Sequence, residues 1–252
     1  MTADLAGRVA LVTGAAKRTG RGLALALARA GADVVVHYGR SQPEAESAVA
    51  EITSLGRRAW ALSADLATPG EAERLIEAAL RAVGRLDLLV NNVGNYPLGE
   101  PLDQTPDEFR ATLETNLTAP YALIRAAVPA LAASGMGHVI NLGYAGVEHL
   151  VANPRAMAYQ ISKAGLLVLT RSLAQALGPR NIRVNMVSPG HLDNSVDLPE
   201  AIESHVPLGR PAQIDDVAGA LLFLLSPAGA YITGANIEVA GGYRLSLADA
   251  LT

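Results

Sequence analysis

The sequence predicts one doubly wound α/β domain over residues 1–252, with a parallel sheet covered by helices on both faces. Short β-branched runs alternate with Ala- and Leu-rich segments of helical length from one end of the chain to the other. Hydrophobic residues make up 50% of the chain and aromatic residues only 4%, so the core consists of Ala, Leu, Val and Ile, which suits helix-on-sheet packing. No internal repeat, low-complexity tract or Pro/Ser-rich linker marks a domain boundary.

Seven runs are predicted strands because they are short and most of them are apolar and rich in β-branched residues. They are residues 9–13, 34–38, 59–62, 88–90, 138–142, 183–187 and 236–239. The segments between them are predicted helices, at residues 22–30, 43–55, 71–83, 106–133, 157–177 and 213–225. Gly31 fits the end of the first helix, where glycine commonly adopts a left-handed conformation. Such sheets bind ligands outside the carboxyl ends of their strands, so candidate site residues are expected directly after each strand.

Charge and composition exclude several classes of function. Twenty Lys and Arg against 24 Asp and Glu give a formal net charge of −4, without the clustered positive charge that a nucleic-acid or anionic membrane partner requires. The chain has no Cys, which excludes disulfides, thiol catalysis and Cys-ligated zinc, and we expect no metal site. The N-terminal residues lack a signal-peptide pattern, and the uncharged stretch 217–237 is interrupted by Ser, Pro, Gly, Thr and Asn. We therefore expect a cytoplasmic protein without a membrane span.

The first predicted strand runs into a segment from Gly14 to Gly20, which a helix follows. Glycine lets backbone amides approach a phosphate closely, and the N-terminus of the next helix favours negative charge. The segment therefore predicts a phosphate site that uses Gly14, Lys17, Arg18, Thr19 and Gly20. The spacing is not G-x-G-x-x-G, and an ordinary strand-to-helix turn is the alternative.

Residues after the second strand indicate which dinucleotide this site would bind. An acidic residue there would bind the ribose 2′-hydroxyl of NAD, whereas a basic residue accommodates the 2′-phosphate of NADP. Tyr38 is followed by Arg40 and Ser41, with no Asp or Glu before Glu44, and Arg18 adds a second guanidinium. We therefore predict NADPH/NADP+ as the cofactor. The alternative is that Arg40 is only a solvated loop charge.

Further motifs, in order along the chain, resemble the short-chain dehydrogenase/reductase family. They are Thr13 with the Gly14–Gly20 loop, Ala64-Asp65-Leu66, the residues from Asn91 to Gly94, Asn116, Tyr159 with Lys163, Ser188-Pro189-Gly190, the residues from Tyr231 to Gly234, and Gly241-Gly242. The resemblance covers nearly the whole chain. It implies a seven-stranded Rossmann fold, an oxidoreductase with a small-molecule substrate, and assembly as a homotetramer or homodimer.

The resemblance also implies contacts to the cofactor. The adenine would lie at Asp65 and Leu66, and the adenosine ribose at Asn91, Val93 and Gly94. The nicotinamide would lie against Pro189 and Gly190, and Lys163 would hydrogen-bond the nicotinamide ribose. In the family a Thr after this segment bonds the carboxamide, and Asn194 is the candidate replacement here.

The same resemblance makes Asn116, Tyr159 and Lys163 the catalytic set, and the residue types agree with that assignment. Tyr159 and Lys163 are four residues apart, which places them on one face of a helix. A free Tyr has a pKa of about 10, and a neighbouring ammonium lowers it toward the range useful for acid–base catalysis. Asn116 would hold the water through which the proton is replenished. The alternative for Tyr159 is a helix tyrosine that only covers the core.

One departure from the family concerns its active-site Ser, which normally stands thirteen residues before the Tyr. That position is Gly146, and there is no Ser, Thr or Asp from residue 135 to residue 161. Aligning on the strand 138–142 instead places Tyr144 at the serine site, as the candidate hydrogen-bond donor to the substrate oxygen. His149 and Asn153 are alternatives, and so is a Tyr144 that only covers apolar surface.

The expected function is an NADPH-dependent reductase of a carbonyl substrate, either a 3-oxoacyl thioester or a small ketone. A pterin is the alternative substrate, because Arg18 and the residues from 37 to 41 resemble the pteridine-reductase branch and Tyr96 falls where that branch stacks an aromatic ring on the pterin. That segment is one residue shorter here, and the active-site Asp of the branch is absent. Loss of the Ser leaves a third alternative, an NADP(H)-binding sensor or interaction protein without turnover.

Overall fold

The protein is described by a computed structural model over residues 3–195 and 198–243. The strands are β1 (Val9–Val12), β2 (Asp33–Tyr38), β3 (Ala59–Ser63), β4 (Leu88–Asn91), β5 (His138–Leu142), β6 (Arg183–Pro189) and β7 (Asn236–Val239). They form one fully parallel sheet in the order β3-β2-β1-β4-β5-β6-β7. The strand order reverses between β1 and β4, which is where such sheets open a crevice for a ligand.

Helices cover both faces of this sheet. In the described ranges they are α1 (Arg18–Arg29), α2 (Gln42–Ser54), α3 (Glu71–Val83), α4 (Pro106–Leu113), α5 (Ala119–Ala133), α6 (Met157–Leu177) and α7 (Ile214–Leu225). The predicted fold is confirmed: the seven predicted strands are present, and their bounds agree with the prediction to within two residues. No helix in the part of the chain that the structure describes is long and apolar enough to cross a membrane.

The core consists of two aliphatic layers, one on each face of the sheet. Alternate residues of β1 face opposite layers, with Ala10 and Val12 toward α1, α2 and α7, and Val9 and Leu11 toward α3 and α5. Both faces of the inner strands are therefore buried, which explains why a strand such as β1 is a continuous apolar run rather than an alternating pattern.

The predicted continuous helix over residues 106–133 is wrong in one respect. A π-helical segment, Glu114–Thr118, separates α4 from α5. In an uninterrupted α-helix the nitrogen of Pro120 would donate to the carbonyl of Asn116, but proline has no N–H and its ring clashes with that carbonyl. The π-helical segment, a feature frequent at functional sites, accommodates this proline and sets the position of Asn116.

Candidate active site

The glycine loop lies between β1 and α1, at the point where the strand order reverses. Gly14 has a φ of +65°, which favours glycine, and a Cβ at Gly20 would collide with the Gly14 carbonyl. The Thr13 hydroxyl accepts hydrogen bonds from the backbone N–H groups of Asn92 (2.9 Å) and Val93 (3.0 Å). The predicted phosphate loop and the loop after β4 are therefore held together across the reversal.

Cationic side chains surround this loop and differ in their partners. Lys17 forms an ion pair with Glu44 at 2.7 Å. Arg18 and Arg40 are exposed and have no ion-pair partner within residues 3–195 and 198–243. One guanidinium group thus stands in the phosphate loop and another directly after β2, the two places where a basic side chain can meet a 2′-phosphate.

Arg18 adopts an unusual backbone conformation for a residue with a side chain. Its φ is +49°, in the left-handed region where glycine is favoured and where other residues carry strain of about 1–3 kcal/mol. Of the other predicted residues here, Thr19, Tyr38 and Ser41 are half-buried. Arg18 thus occupies a backbone conformation that glycine would adopt without strain.

The residues predicted at the adenosine differ in how they could contribute. Asp65 is exposed and accepts from the Ala67 backbone N–H at 3.1 Å, and Leu66 is buried. Val93 is half-buried against the core and Gly94 is exposed. Asn91 is buried, and its Nδ2 donates to Asn141 Oδ1 at 2.8 Å. The side chain of Asn91 therefore lies within the sheet, and only its backbone would face the crevice.

Asn116 is buried at the junction of the π-helical segment, the loop after β4 and α6. Its Oδ1 accepts from the Asn95 backbone N–H at 2.7 Å, and its Nδ2 donates to the Asn95 carbonyl at 2.9 Å and to the Ser162 hydroxyl at 3.0 Å. Ser162 in turn donates to the Tyr159 carbonyl at 2.6 Å. Sequence reasoning missed Asn95 and Ser162, although Ser162 stands between Tyr159 and Lys163 in the motif.

Lys163 is almost completely buried, with 4% of its surface exposed. Its Nζ donates to the Leu142 carbonyl at 2.7 Å and lies 5.8 Å from the centre of the Tyr159 ring. Burial lowers the pKa of Lys163 from 10.5 to about 8. A Cβ at Gly94 would lie 3.4 Å from Lys163 Nζ and 3.5 Å from Asn116 Oδ1, so this glycine brings the backbone close to both groups.

Three of the predicted tyrosines form one cluster. The Tyr96 ring packs edge-on against Tyr159, with ring centres 4.6 Å apart, and Tyr144 lies on Tyr159 at 5.6 Å. Tyr96 is 46% exposed, whereas Tyr144 is half-buried. Burial raises the pKa of the Tyr144 hydroxyl, against a smaller opposing contribution from the Gln160 side chain. Tyr144 therefore stays protonated at neutral pH and can donate a hydrogen bond.

The geometry favours Tyr144 over Gly146 at the serine position. Tyr144 lines the cleft beside Tyr159, whereas Gly146 is buried and its N–H donates to Glu238 Oε1 at 2.8 Å. The structure does not bring His149 to the cleft, because the short 3-10 turn Val147–His149 carries its exposed side chain to the surface. Asn153 does line the cleft.

The cleft has a volume of about 880 Å³ and extends from this cluster to the segment after β6. Pro189 and Gly190, which the resemblance places against the nicotinamide, line this cleft, whereas Asn194 is half-buried and does not line it. The far end carries His191 and Tyr243, whose rings pack edge-on at 4.9 Å. No local sequence signal connects these two, because they come from loops about fifty residues apart.

Comparison with known proteins identifies the family. A family model described as enoyl-(acyl carrier protein) reductase matches residues 14–244. The chain is 37% identical over 251 residues to L-rhamnose 1-dehydrogenase (NAD(P)(+)) of a Sphingomonas species, covering 96% of this chain and 98% of that one. The chain belongs to the short-chain dehydrogenase/reductase family. Its resemblance to that family, predicted from the motifs, is thereby confirmed.

Two further members of the short-chain dehydrogenase/reductase family are of comparable similarity. A 3-oxoacyl-[acyl-carrier-protein] reductase of Synechocystis is 37% identical over 246 residues, covering 96% of this chain and 98% of that one. The crystal structure of a short-chain dehydrogenase from Burkholderia cenocepacia in complex with NADP superimposes with a TM-score of 0.88 at 36% identity, covering 95% of this chain and 98% of that one. As a family member, the chain is an oxidoreductase of the CH–OH/C=O class.

Proposed function

We propose that the chain is an NADPH-dependent reductase that transfers hydride to the carbonyl carbon of a small molecule. The observation that carries the proposal is the convergence of Tyr159, which lines the cleft, with the buried Lys163 and Asn116. This arrangement joins a proton donor, a buried cation and a polar relay group, which is what carbonyl reduction needs besides a hydride source. The relative crystallised with NADP supports the choice of cofactor.

The residues present fit a dinucleotide with a 2′-phosphate. Gly14 and Gly20 allow the loop to fold tightly against itself and the loop after β4, and the first turn of α1 has backbone N–H groups without helical acceptors. Arg18 and Arg40 supply positive charge at the end of the loop and after β2. Asp65 and Gly94 would contact the adenosine, and Pro189 and Gly190 the nicotinamide.

The proposed proton transfer uses residues of this chain alone. The bound cofactor supplies the hydride that adds to the carbonyl carbon. The Tyr159 hydroxyl donates its proton to the carbonyl oxygen, and the Lys163 ammonium stabilises the phenolate that remains. Asn116 lies beside Lys163. Its backbone carbonyl has no α-helical N–H donor, because Pro120 stands at the donor position, and it would therefore hold the water that returns a proton to Tyr159.

Tyr144 would donate a second hydrogen bond to the substrate oxygen. Replacing Tyr144 with Phe is expected to lower kcat/KM about 100-fold, since losing one donor to a developing oxyanion typically costs that much or more. The measurement is steady-state NADPH oxidation, with NADPH affinity measured separately and expected to stay the same. Tyr231→Phe, at a fully exposed tyrosine, is the matched control. An unchanged kcat/KM in Tyr144→Phe would remove Tyr144 from the mechanism.

Arg40 would discriminate between the two nicotinamide cofactors. Replacing Arg40 with Ala is expected to raise the KM for NADPH about tenfold and to leave the KM for NADH unchanged, because only NADPH carries the 2′-phosphate. Arg29→Ala, at an exposed arginine in the last turn of α1, is the control. Equal use of NADH and NADPH by the unmodified enzyme would contradict the roles of both Arg40 and Arg18.

The substrate class is tested by following NADPH oxidation with an acetoacetyl thioester, a dihydropterin and a small diketone. We propose a 3-oxoacyl thioester or small ketone, in keeping with the 3-oxoacyl reductase among the relatives. A pterin is the second candidate, because the half-exposed Tyr96 ring lies against Tyr159 in the cleft. NADPH binding without turnover of any of the three would instead support a sensor that has lost catalysis.

We also propose that the enzyme is cytoplasmic, where a pool of reduced cofactor is available, and that it assembles as a homotetramer or homodimer. Exposed apolar side chains on α5 and α6 support self-association, namely Tyr121, Ile161 and Val168. Sedimentation of the purified enzyme decides the second point, and a monomeric mass at micromolar concentration would contradict it.

A further inference from the structure

His37 is a buried histidine at the carboxyl end of β2, with 1% of its surface exposed. Its Nδ1 accepts a hydrogen bond from the Gly14 backbone N–H at 3.0 Å, and its Nε2 lies 3.0 Å from the Ala64 carbonyl oxygen. Its own backbone carbonyl accepts from the Ala15 N–H at 2.8 Å. One residue thus bonds the beginning of the glycine loop and the loop that follows β3.

These partners determine the protonation of the ring. Gly14 N–H is a donor, so Nδ1 must be without a proton, and the Ala64 carbonyl is an acceptor, so Nε2 must carry one. Only the neutral Nε2–H tautomer satisfies both contacts. Burial favours the same state, because it lowers the pKa of His37 from 6.5 to about 4.

The two hydrogen bonds of the His37 ring indicate a role besides packing. Gly14 opens the loop proposed to bind the pyrophosphate, and Ala64 directly precedes Asp65, which is proposed to contact the adenine. Within the described ranges, His37 is the residue whose side chain hydrogen-bonds both loops. A ring of fixed tautomer between them sets the separation of the two walls between which the cofactor would lie.

We propose that His37 is a positioning residue for the cofactor, which holds the phosphate loop and the adenine loop at the spacing that NADPH requires. The proposal rests on the proposed cofactor site. It predicts that changes at His37 weaken cofactor binding and leave the chemical step intact. His37 contacts the two loops proposed to bind the pyrophosphate and the adenine, whereas the proposed reacting groups lie on α6 and the π-helical segment.

Three substitutions separate the two contacts of the ring. His37→Asn places an oxygen at the position of Nδ1 and keeps the acceptor for the Gly14 N–H. His37→Gln places an amide nitrogen near the position of Nε2 and keeps the donor to the Ala64 carbonyl. His37→Leu removes both hydrogen bonds. The dissociation constant of NADPH, measured by fluorescence of the bound cofactor, is expected to rise about tenfold in His37→Leu and about threefold in the Asn and Gln variants. The kcat at saturating NADPH is expected to stay within about twofold.

His138→Leu is the matched control, since His138 is equally buried but stands at the amino end of β5, where its Nε2 contacts Asn185. It is expected to lower the melting temperature of the apoprotein without changing NADPH affinity. Unchanged affinity in all three His37 variants would overturn the inference alone, and so would an equal loss in His138→Leu. Absence of NADPH binding by the unmodified protein would overturn the proposed function as well. If His37→Leu does not fold, the Asn and Gln variants still decide the outcome.

Discussion

Tyr159→Phe is expected to lower kcat/KM for the carbonyl substrate about 1,000-fold while leaving the dissociation constant of NADPH within about twofold. The substitution removes one hydroxyl group and keeps the ring that packs between Tyr96 and Tyr144. The loss therefore measures proton donation rather than packing. Steady-state NADPH oxidation and direct NADPH binding are the two measurements.

Tyr96→Phe is the matched control, because it removes a hydroxyl from the neighbouring ring of the same cluster. We expect Tyr96→Phe to retain turnover of a ketone substrate. Because Tyr144 also lines the cleft, the double variant Tyr144→Phe with Tyr159→Phe shows whether the two hydroxyls act on the same oxygen. If kcat/KM falls less in the double variant than the product of the two single-variant losses, the two hydroxyls act as one unit. A Tyr159→Phe enzyme with near-normal kcat/KM would show that another group is the proton donor.

The fold was accessible from the sequence because both faces of the sheet are buried. Under that condition a strand is a continuous apolar run, as at Val9–Val12, and helices such as Glu71–Val83 and Met157–Leu177 stand out by their length and composition. The helix of residues 106–133 was the exception, although Pro120 was visible in it. Proline alone does not decide the matter, because Pro129 lies inside α5 without ending it.

Contacts within the candidate site could be predicted from local spacing only where both residues lie on one helix or strand. Tyr159 and Lys163 are four residues apart on α6, and that spacing could be interpreted from the sequence alone. The bridge from His37 to Gly14 and Ala64 joins three separate segments, and the pairing of His191 with Tyr243 joins two loops. Such contacts depend on strand order and register, which the local pattern does not contain. The left-handed Arg18 is a similar case, because nothing in its neighbours announces a positive φ.

The second large effect is expected at Lys163, where one substitution should strongly reduce activity and yet stabilise the apoprotein. The ammonium is buried, and it donates its hydrogen bond to the Leu142 carbonyl rather than to a carboxylate. Its pKa is about 8 in the folded chain against 10.5 for the ordinary side chain, so the charged form is disfavoured by folding. At pH 7 this shift lowers the free energy of unfolding of the unmodified protein by about 3 kcal/mol. A Lys163→Met variant avoids that cost but leaves the Leu142 carbonyl without its hydrogen bond, which costs about 1 kcal/mol.

We therefore expect Lys163→Met to raise the free energy of unfolding of the apoprotein by about 2 kcal/mol at pH 7, and its melting temperature by about 5 °C, while kcat/KM falls about 1,000-fold.

Between pH 8 and 10.5 the unfolded chain binds the Lys163 proton more than the folded chain does, so the stability of the unmodified protein rises with pH there. The difference between variant and unmodified protein should accordingly shrink as the pH increases through that window, and stay constant below it. Urea unfolding at pH 7 and pH 10 measures both, with Lys17→Met at an exposed, ion-paired lysine as the control that gains no stability. A Lys163→Met variant that is less stable at pH 7, or whose difference from the unmodified protein does not change with pH, would contradict the presence of a buried cation at this position and with it the electrostatic role assigned to Lys163.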